Sequence, residues 1–183
     1  MRSWKDVTVG LIIGLALPPL AAISYFYFGL APVATQSKPM PLEGFLAKKA
    51  LHARIQREAP AGPPIEPTEG DLMSGAAIYR EDCAVCHGLP GQQQTAIAKG
   101  MFPKPPQLLK GMGVTDDPVQ ETYWKVRNGI RLTGMPSYSD SLSETQIWQV
   151  SQLLAKAHML PDPVQRELAR SETASSTRLT QPR

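Results

Sequence analysis

Apolar residues form two kinds of pattern along this chain of 183 residues. One uncharged and mostly apolar run covers Val7 to Leu30, which is long enough for a helix to cross a bilayer. Beyond it, apolar positions recur at helical spacing, and no alternating pattern typical of a strand has useful length. We therefore predict an all-α protein, in which a single transmembrane helix precedes four helices at Leu42–Glu58, Glu69–Cys83, Asp117–Asn128 and Ser143–His158.

Capping signals define the ends of the last two helices. Asp117 is a suitable N-cap, and Pro118 after it fits the first helical position. Gly129 can adopt the left-handed conformation that often ends a helix. Ser143 and Gln146 have the spacing of a capping box, which places the start of the final helix firmly.

A glycine within the helix predicted over Glu69–Cys83 calls for an explanation. Gly75 lies beside the face formed by Leu72, Ala76 and Tyr79. A glycine is costly inside a helix, so it predicts a close crossing with another helix. A tolerated surface glycine is the alternative.

The ends of the N-terminal apolar run favour an uncleaved membrane anchor at residues 7–30. Trp4 and the aromatic cluster Tyr25–Phe28 lie where aromatic belts are expected. Arg2 and Lys5 precede the run, so the positive-inside rule places the N-terminus, residues 1–6, in the cytoplasm and the bulk of the chain outside. A cleaved signal peptide is the alternative, although its apolar region is usually shorter and the small-residue cleavage sites here are poor.

Proline and polar residues divide the rest of the chain. Residues 31–67 combine an amphipathic helix with a proline-rich segment that is typical of a semi-rigid linker. That helix is compatible with a membrane surface or with a spacer that packs on protein, and the sequence leaves both open. Residues 68–160 form the predicted compact domain. Residues 161–183 are predicted to be a disordered tail with one helical turn near 164–170.

Composition excludes some classes of protein. The formal net charge is +3, which does not indicate nucleic-acid binding. The two cysteines lie in one short motif, so none is left for a disulfide framework.

That motif is Cys-Ala-Val-Cys-His, from Cys83 to His87, and it is the attachment motif of c-type haem. Two thiols at this spacing can add to the two vinyl groups of a haem, and the adjacent imidazole can bind the iron. A redox dithiol is an alternative, but the βαβ context it needs is missing. A structural zinc site needs four ligands, and no further cysteine exists. A small disulfide is the third alternative, and it would leave His87 as a coincidence.

A second axial ligand would decide what such a haem does. Met135 is the best candidate, because Gly134 and Pro136 bracket it in a loop between the last two predicted helices. A thioether ligand favours ferrous iron and raises the reduction potential. A gap-filling methionine is the alternative. The competing candidates for the ligand are Met73, Met101, Met112, His158 and Met159.

Taken together, these motifs resemble class I cytochrome c, and more narrowly the membrane-anchored bacterial monohaem cytochromes c. The resemblance covers about Leu72 to Leu154. It implies a small cytochrome c fold, in which three main helices surround one covalently bound haem c. It also implies that Cys83 and Cys86 hold the porphyrin, that His87 is the proximal ligand and that Met135 is the distal ligand.

The resemblance further implies roles for residues around the haem. One proline carbonyl after the motif would accept a hydrogen bond from the proximal histidine, but several prolines between 103 and 106 compete. Gly75 and Tyr79 would cross Trp148 on the last helix. Tyr138 and Trp124 would shield or bond the porphyrin, with ordinary core packing as the alternative.

The function implied is electron transfer, without catalysis by this chain alone. Single electrons would pass between respiratory partners such as an oxidase, a dehydrogenase or a quinol-oxidising complex, with no small-molecule substrate. The chain would sit in the bacterial inner membrane through its N-terminal helix, in contact with lipid, with its C-terminal domain in the periplasm. Alternatives are a haem-based sensor or peroxidase-like enzyme with an open iron position, and a structural subunit of a larger membrane complex. Cations in the loops could steer an acidic partner or be plain solvated charge, namely Lys99, Lys104, Lys110, Arg127 and Arg131.

Overall fold

The computed structural model describes residues 3–63, 66–109 and 117–170. Eight α-helices lie within these ranges, and no strand does, which confirms the all-α prediction. The sequence predictions for Arg2, Lys110, Met112 and residues 171–183 fall outside the described residues. The helices are α1 (Trp4–Tyr27), α2 (Glu43–Glu58), α3 (Glu69–Ile78), α4 (Ala84–His87), α5 (Ala96–Gly100), α6 (Val119–Asn128), α7 (Glu144–Ala155) and α8 (Asp162–Ala169).

Helix α1 is the long apolar helix that the sequence predicts, although it begins three residues earlier. Ser3 caps it in a capping box with Asp6, and Pro18 and Pro19 lie inside it. None of its residues is buried, and its most apolar 18-residue window has a mean hydropathy of 2.1. Its length and composition are those of a membrane span, and an N-terminal signal sequence has the same properties. The chain divides into two compact units, residues Met1–Ala47 and Lys48–Arg183.

The core of the second unit is the crossing of α3 and α7. Gly75 makes this crossing possible, because a Cβ at this position would lie 2.5 Å from the backbone oxygen of Gln149. The helices therefore pack backbone to backbone, as the sequence predicts. The residue at the crossing is Gln149 rather than the expected Trp148, whose ring instead stacks on Tyr123 of α6 at 4.0 Å between centroids. One face of α7 is buried, at Ile147, Val150 and Leu154.

The start of α6 differs from the prediction. Pro118 occupies the N-cap position itself, and no side chain caps the helix. Asp117 instead forms an ion pair with Lys125, about two helical turns further along. The capping box of α7 is present as predicted, with the Ser143 side chain accepting from the backbone of Gln146.

Helix α8 corrects the predicted domain boundary at residue 160. The sequence predicts a disordered tail with a single helical turn, but α8 spans eight residues and packs on α3. Val164 and Leu168 are fully buried there. The Arg80 guanidinium fixes the end of α8 by donating to the Glu167 carbonyl oxygen at 2.6 Å. Two buried apolar residues four positions apart are enough to dock one face of a helix. The polar composition of residues 161–183 hides this pattern in the sequence.

The second half of α2 is packed against the same unit. Ile55 is only 1 % exposed. Two hydrogen bonds join this half to α6: Gln56 Nε2 donates to Glu121 Oε1, and Trp124 Nε1 donates to Glu58 Oε2, both at 3.2 Å. The second half of α2 is thus docked on protein, which is one of the two alternatives that the sequence leaves open.

Candidate functional site

The Cys-x-x-Cys-His segment lies at the end of an unusual helix. Helix α3 widens into a π-helical turn over Tyr79–Cys83, and α4 then carries the motif to His87. Single π-helical turns often occur at functional sites. Cys83 and Cys86 are both free thiols of intermediate burial, and Gly88 ends the segment with a φ of +78°.

Two tyrosines hold the two ends of this segment. The Tyr138 hydroxyl donates to the carbonyl oxygen of Asp82, and the Tyr79 hydroxyl donates to that of Gly88, each at 2.8 Å. Desolvation by burial raises the pKa of both phenols, that of Tyr138 to about 12, with smaller contributions from nearby cysteines. The phenols therefore stay protonated and remain hydrogen-bond donors at neutral pH.

His87 is oriented by a backbone carbonyl. Its Nδ1 lies 2.7 Å from the carbonyl oxygen of Pro106, so Nδ1 carries the proton and Nε2 presents its lone pair. Burial lowers the pKa of the imidazole, and the contact with Pro106 opposes this more weakly. The ring is therefore held neutral and in one tautomer, as a metal ligand requires. Sequence reasoning expected such a carbonyl but could not choose among the prolines, and the structure identifies Pro106.

The Cys83 thiol lies in apolar surroundings. Burial raises its pKa to about 12, with further contributions from Asp82 and Cys86. The side chain packs against the hydrophobic core. A thiol in this environment is protonated and structural in character, which does not suit a reactive redox dithiol.

Met135 lies in a tightly bonded loop between α6 and α7. Its backbone N–H donates to Thr133 Oγ1 at 3.1 Å, and its carbonyl oxygen accepts from the N–H of Ile130 at 3.2 Å. Gly129, with a φ of +66°, lets the loop fold back, because a Cβ there would lie 2.6 Å from the carbonyl carbon of Pro136. The Met135 side chain is partly buried against the core.

The Met135 loop and the attachment segment are neighbours. Tyr138 follows the loop directly, and its hydrogen bond to Asp82 reaches the residue before Cys83. Sequence reasoning missed a second neighbour of the loop: the terminal methyl of Met101 fills the space above Gly134. Met101 and Pro106 begin and end one short segment, which thus touches the Met135 loop at one end and His87 at the other. Nothing in the sequence pairs positions 101 and 134, because the contact depends on how two loops meet.

Other residues with expected roles make different contacts. The Trp124 indole donates to Glu58 and not into the site. Arg127 forms an ion pair with Glu144 and donates to the Tyr123 hydroxyl. Its charge is therefore already paired, which does not suit the steering of an acidic partner. Lys99, Lys104 and Arg131 are exposed.

Comparison with known proteins agrees with this geometry. The model of the family described as cytochrome c oxidase, cbb3-type, subunit III matches residues 70–154. Cytochrome c6 from Limnospira maxima is 30 % identical over 82 residues, which cover 45 % of this chain and 88 % of that protein. The chain belongs to the class I c-type cytochromes. It is therefore an electron-carrying haem protein, and its relatives imply haem c as the cofactor.

A solved structure is also similar. A chain of the reducing HAO-like protein complex of Kuenenia stuttgartiensis has 27 % sequence identity and a TM-score of 0.45. The match covers 52 % of this cytochrome and 47 % of that chain, so this cytochrome spans less than half of its length.

The donor set of this cytochrome fits haem c. Two free thiols are two residues apart, and the next residue is a neutral imidazole with Nε2 available. The amide nitrogen of Gln107, beside Gly88, is buried without a hydrogen-bond partner among the described residues, and a carboxylate of a haem would satisfy it. In the described residues no group of three or more His, Cys, Asp or Glu side chains could hold a metal ion without a porphyrin.

Proposed function

We propose that this cytochrome is a membrane-anchored, periplasm-facing monohaem electron carrier whose haem is held by Cys83 and Cys86 and ligated by His87 and Met135. The observation that carries the ligand proposal is the contact between His87 Nδ1 and the Pro106 carbonyl, which supports Nε2 as the iron ligand. Bound haem c supplies a one-electron couple between ferric and ferrous iron.

The chain's own residues would hold both iron ligands in place during electron transfer. The π-helical turn and the two tyrosines fix the attachment segment at both ends, so the imidazole has little freedom to leave. The internally bonded Met135 loop would keep a thioether in place and leave no open position for a substrate. Rigid ligation lowers the reorganisation that accompanies electron transfer, which suits a carrier rather than an enzyme.

The location and the partners follow from the N-terminal helix and the family. Helix α1 is long and apolar enough to hold the chain in the inner membrane, with residues 1–6 in the cytoplasm. The match to a cbb3-type oxidase subunit supports a respiratory complex as a redox partner. Two cysteines allow one thioether-linked haem, which supports a single haem per chain.

The first test is the optical spectrum of the full-length holoprotein, oxidised and reduced, beside Met135→Ala. We expect a c-type reduced spectrum, a weak far-red band from sulfur-ligated ferric iron, and loss of that band in the variant. Met159→Ala is the matched control, because Met159 is a 70 % exposed methionine in the short 3₁₀ turn that follows α7. Mass spectrometry should find one haem per chain.

Two results would redirect the proposal. Ready binding of carbon monoxide by the unmodified ferrous protein would mean an open iron position and favour a sensor or a peroxidase-like enzyme. Normal turnover of a co-purifying complex that contains His87→Ala would favour a structural subunit.

A further inference from the structure

Three large apolar side chains are exposed at the start of α2. Leu42 directly precedes the helix with a φ of +64°, and Phe45 and Leu46 lie in its first turn; the three are 68 %, 64 % and 58 % exposed. We call these three residues the α2 patch. The second half of the same helix behaves differently, because Ile55 is buried. A helix rotates by about 100° per residue, so Leu46 lies on the face opposite Ile55.

Basic side chains surround the α2 patch. Lys49 lies on the same face, Lys48 lies beside it, and Lys38 precedes the helix; all three are exposed. The acidic group nearest in sequence is Glu43, whose carboxylate accepts from the backbone N–H of Met40 at 2.7 Å. The three lysines outnumber this one carboxylate, so positive charge dominates around the patch.

We propose that the α2 patch inserts among the head groups of the membrane, with the three lysines against anionic phospholipid. The inference rests on the proposed membrane anchorage and adds a second, peripheral contact to it. Apolar and aromatic side chains in a first turn, flanked by lysines, have the composition of an interfacial helix. Each lysine near an anionic surface contributes on the order of 1 kcal/mol.

Chain length favours lipid over a distant protein as the occupant. Only residues 28–41 separate the end of α1 from the patch. Even fully extended, they reach about 50 Å, so the patch stays close to any membrane that α1 crosses. A single myristoyl chain binds membranes only marginally, so a short apolar turn is useful mainly beside a stronger anchor.

The test uses the full-length holoprotein in nanodiscs that contain phosphatidylglycerol and phosphatidylethanolamine. A photoreactive benzoylphenylalanine replaces Phe45 in one variant and Ala47 in the matched control. Ala47 is exposed in the same turn but lies about 160° away from Phe45 around the helix axis. After irradiation, mass spectrometry should find severalfold more lipid adduct at position 45 than at position 47. Replacing Lys38, Lys48 and Lys49 with Gln should lower the share of phosphatidylglycerol among the adducts.

The outcomes separate the patch from the anchor. If the protein resists alkaline extraction but gives equal or no lipid adducts at the two positions, the anchor is present. Insertion of the α2 patch is then refuted. If alkaline extraction releases the protein but adducts form at position 45, the membrane anchor is refuted and insertion of the α2 patch is supported. Adducts to a protein subunit in native membranes, in place of lipid, would also overturn the proposal.

Discussion

The terminal methyl of Met101 occupies the space in which a side chain at Gly134 would begin. Gly134 precedes the proposed distal ligand, so two loops that are far apart in sequence meet beside Met135. The contact is made by the flexible end of a side chain, and this determines how the site should respond to substitution.

We expect Gly134→Ala to be mild. The Met101 side chain can move aside, so the free energy of unfolding should fall by about 1 kcal/mol. The far-red band should weaken or shift, because the residue before Met135 is displaced. The same substitution in a Met101→Ala background should cost less, which a double-mutant cycle followed by chemical denaturation would reveal. Equal costs in both backgrounds would exclude the contact as the cause.

Gly129→Ala should be severe by comparison. Its Cβ would meet backbone atoms of Pro136 and Ser137 at 2.6–2.8 Å, and its φ of +66° with a ψ of −176° is essentially restricted to glycine. We expect a loss of about 3 kcal/mol or more, together with loss of the methionine band. Gly100→Ala is the control, because a Cβ there meets nothing within 4 Å. A stable Gly129→Ala protein with an intact band would contradict the described loop geometry.

The two tyrosine hydroxyls should each contribute to stability. Tyr79→Phe and Tyr138→Phe leave the carbonyl oxygens of Gly88 and Asp82 without these donors. Each substitution should lower the free energy of unfolding by about 1–2 kcal/mol. Thermal or urea denaturation of the holoprotein measures this, and Tyr27→Phe on the exposed end of α1 serves as control.

Ionisation of Asp71 should make the free energy of unfolding depend on pH. Hydrogen bonds from the Gln149 side chain, and then from the Thr68 side chain and backbone, lower its pKa from 3.8. Because the folded pKa is the lower one, the stabilisation is present in full above the ordinary value and is lost as the pH falls through the folded value. Asp71→Asn should therefore be less stable than the parent at pH 7, and the difference should shrink as the pH falls through the folded pKa of Asp71. A difference that is constant with pH would show that ionisation of Asp71 is irrelevant.

Docking of α2 should depend on Ile55. Ile55→Ala removes a fully buried side chain and should cost about 2–4 kcal/mol. Loosening of this helix end should also speed tryptic cleavage after Arg54 and Arg57. Leu46→Ala is the control, because that side chain is exposed on the opposite face. Unchanged cleavage in Ile55→Ala would mean that other contacts hold the helix end.

Local signals explain which parts of the fold were predictable. The capping box at Ser143, the crossing at Gly75 and the apolar run before residue 30 each arise from neighbouring residues, and the structure contains all three. The haem attachment motif is also a local signal, because its five residues are contiguous. Met135 stands out because of its bracket of glycine and proline, and its role as a ligand stays a prediction.

The remainder depends on contacts between distant segments. The choice of Pro106 over its neighbours depends on how a proline-rich loop crosses His87, and no local pattern encodes that crossing. Helix α8 was underestimated because only Val164 and Leu168 carry its packing, within a tail that is otherwise polar. The family resemblance implies a place beside the porphyrin for Trp124, with core packing as the alternative, whereas its indole donates to Glu58, 66 positions away.

If α1 anchors the chain as proposed, the docked end of α2 limits how far the haem can travel. If residues 31–67 were all extended, the tether could reach about 125 Å. With α2 helical from Glu43 and its second half fixed to the cytochrome unit, only residues 28–42 remain extensible, over about 50 Å. The volume searched by the haem is then about 15-fold smaller, and the effective concentration at a partner in the same membrane rises in proportion. Such a carrier is suited to repeated encounters with one neighbour rather than to shuttling across the periplasm.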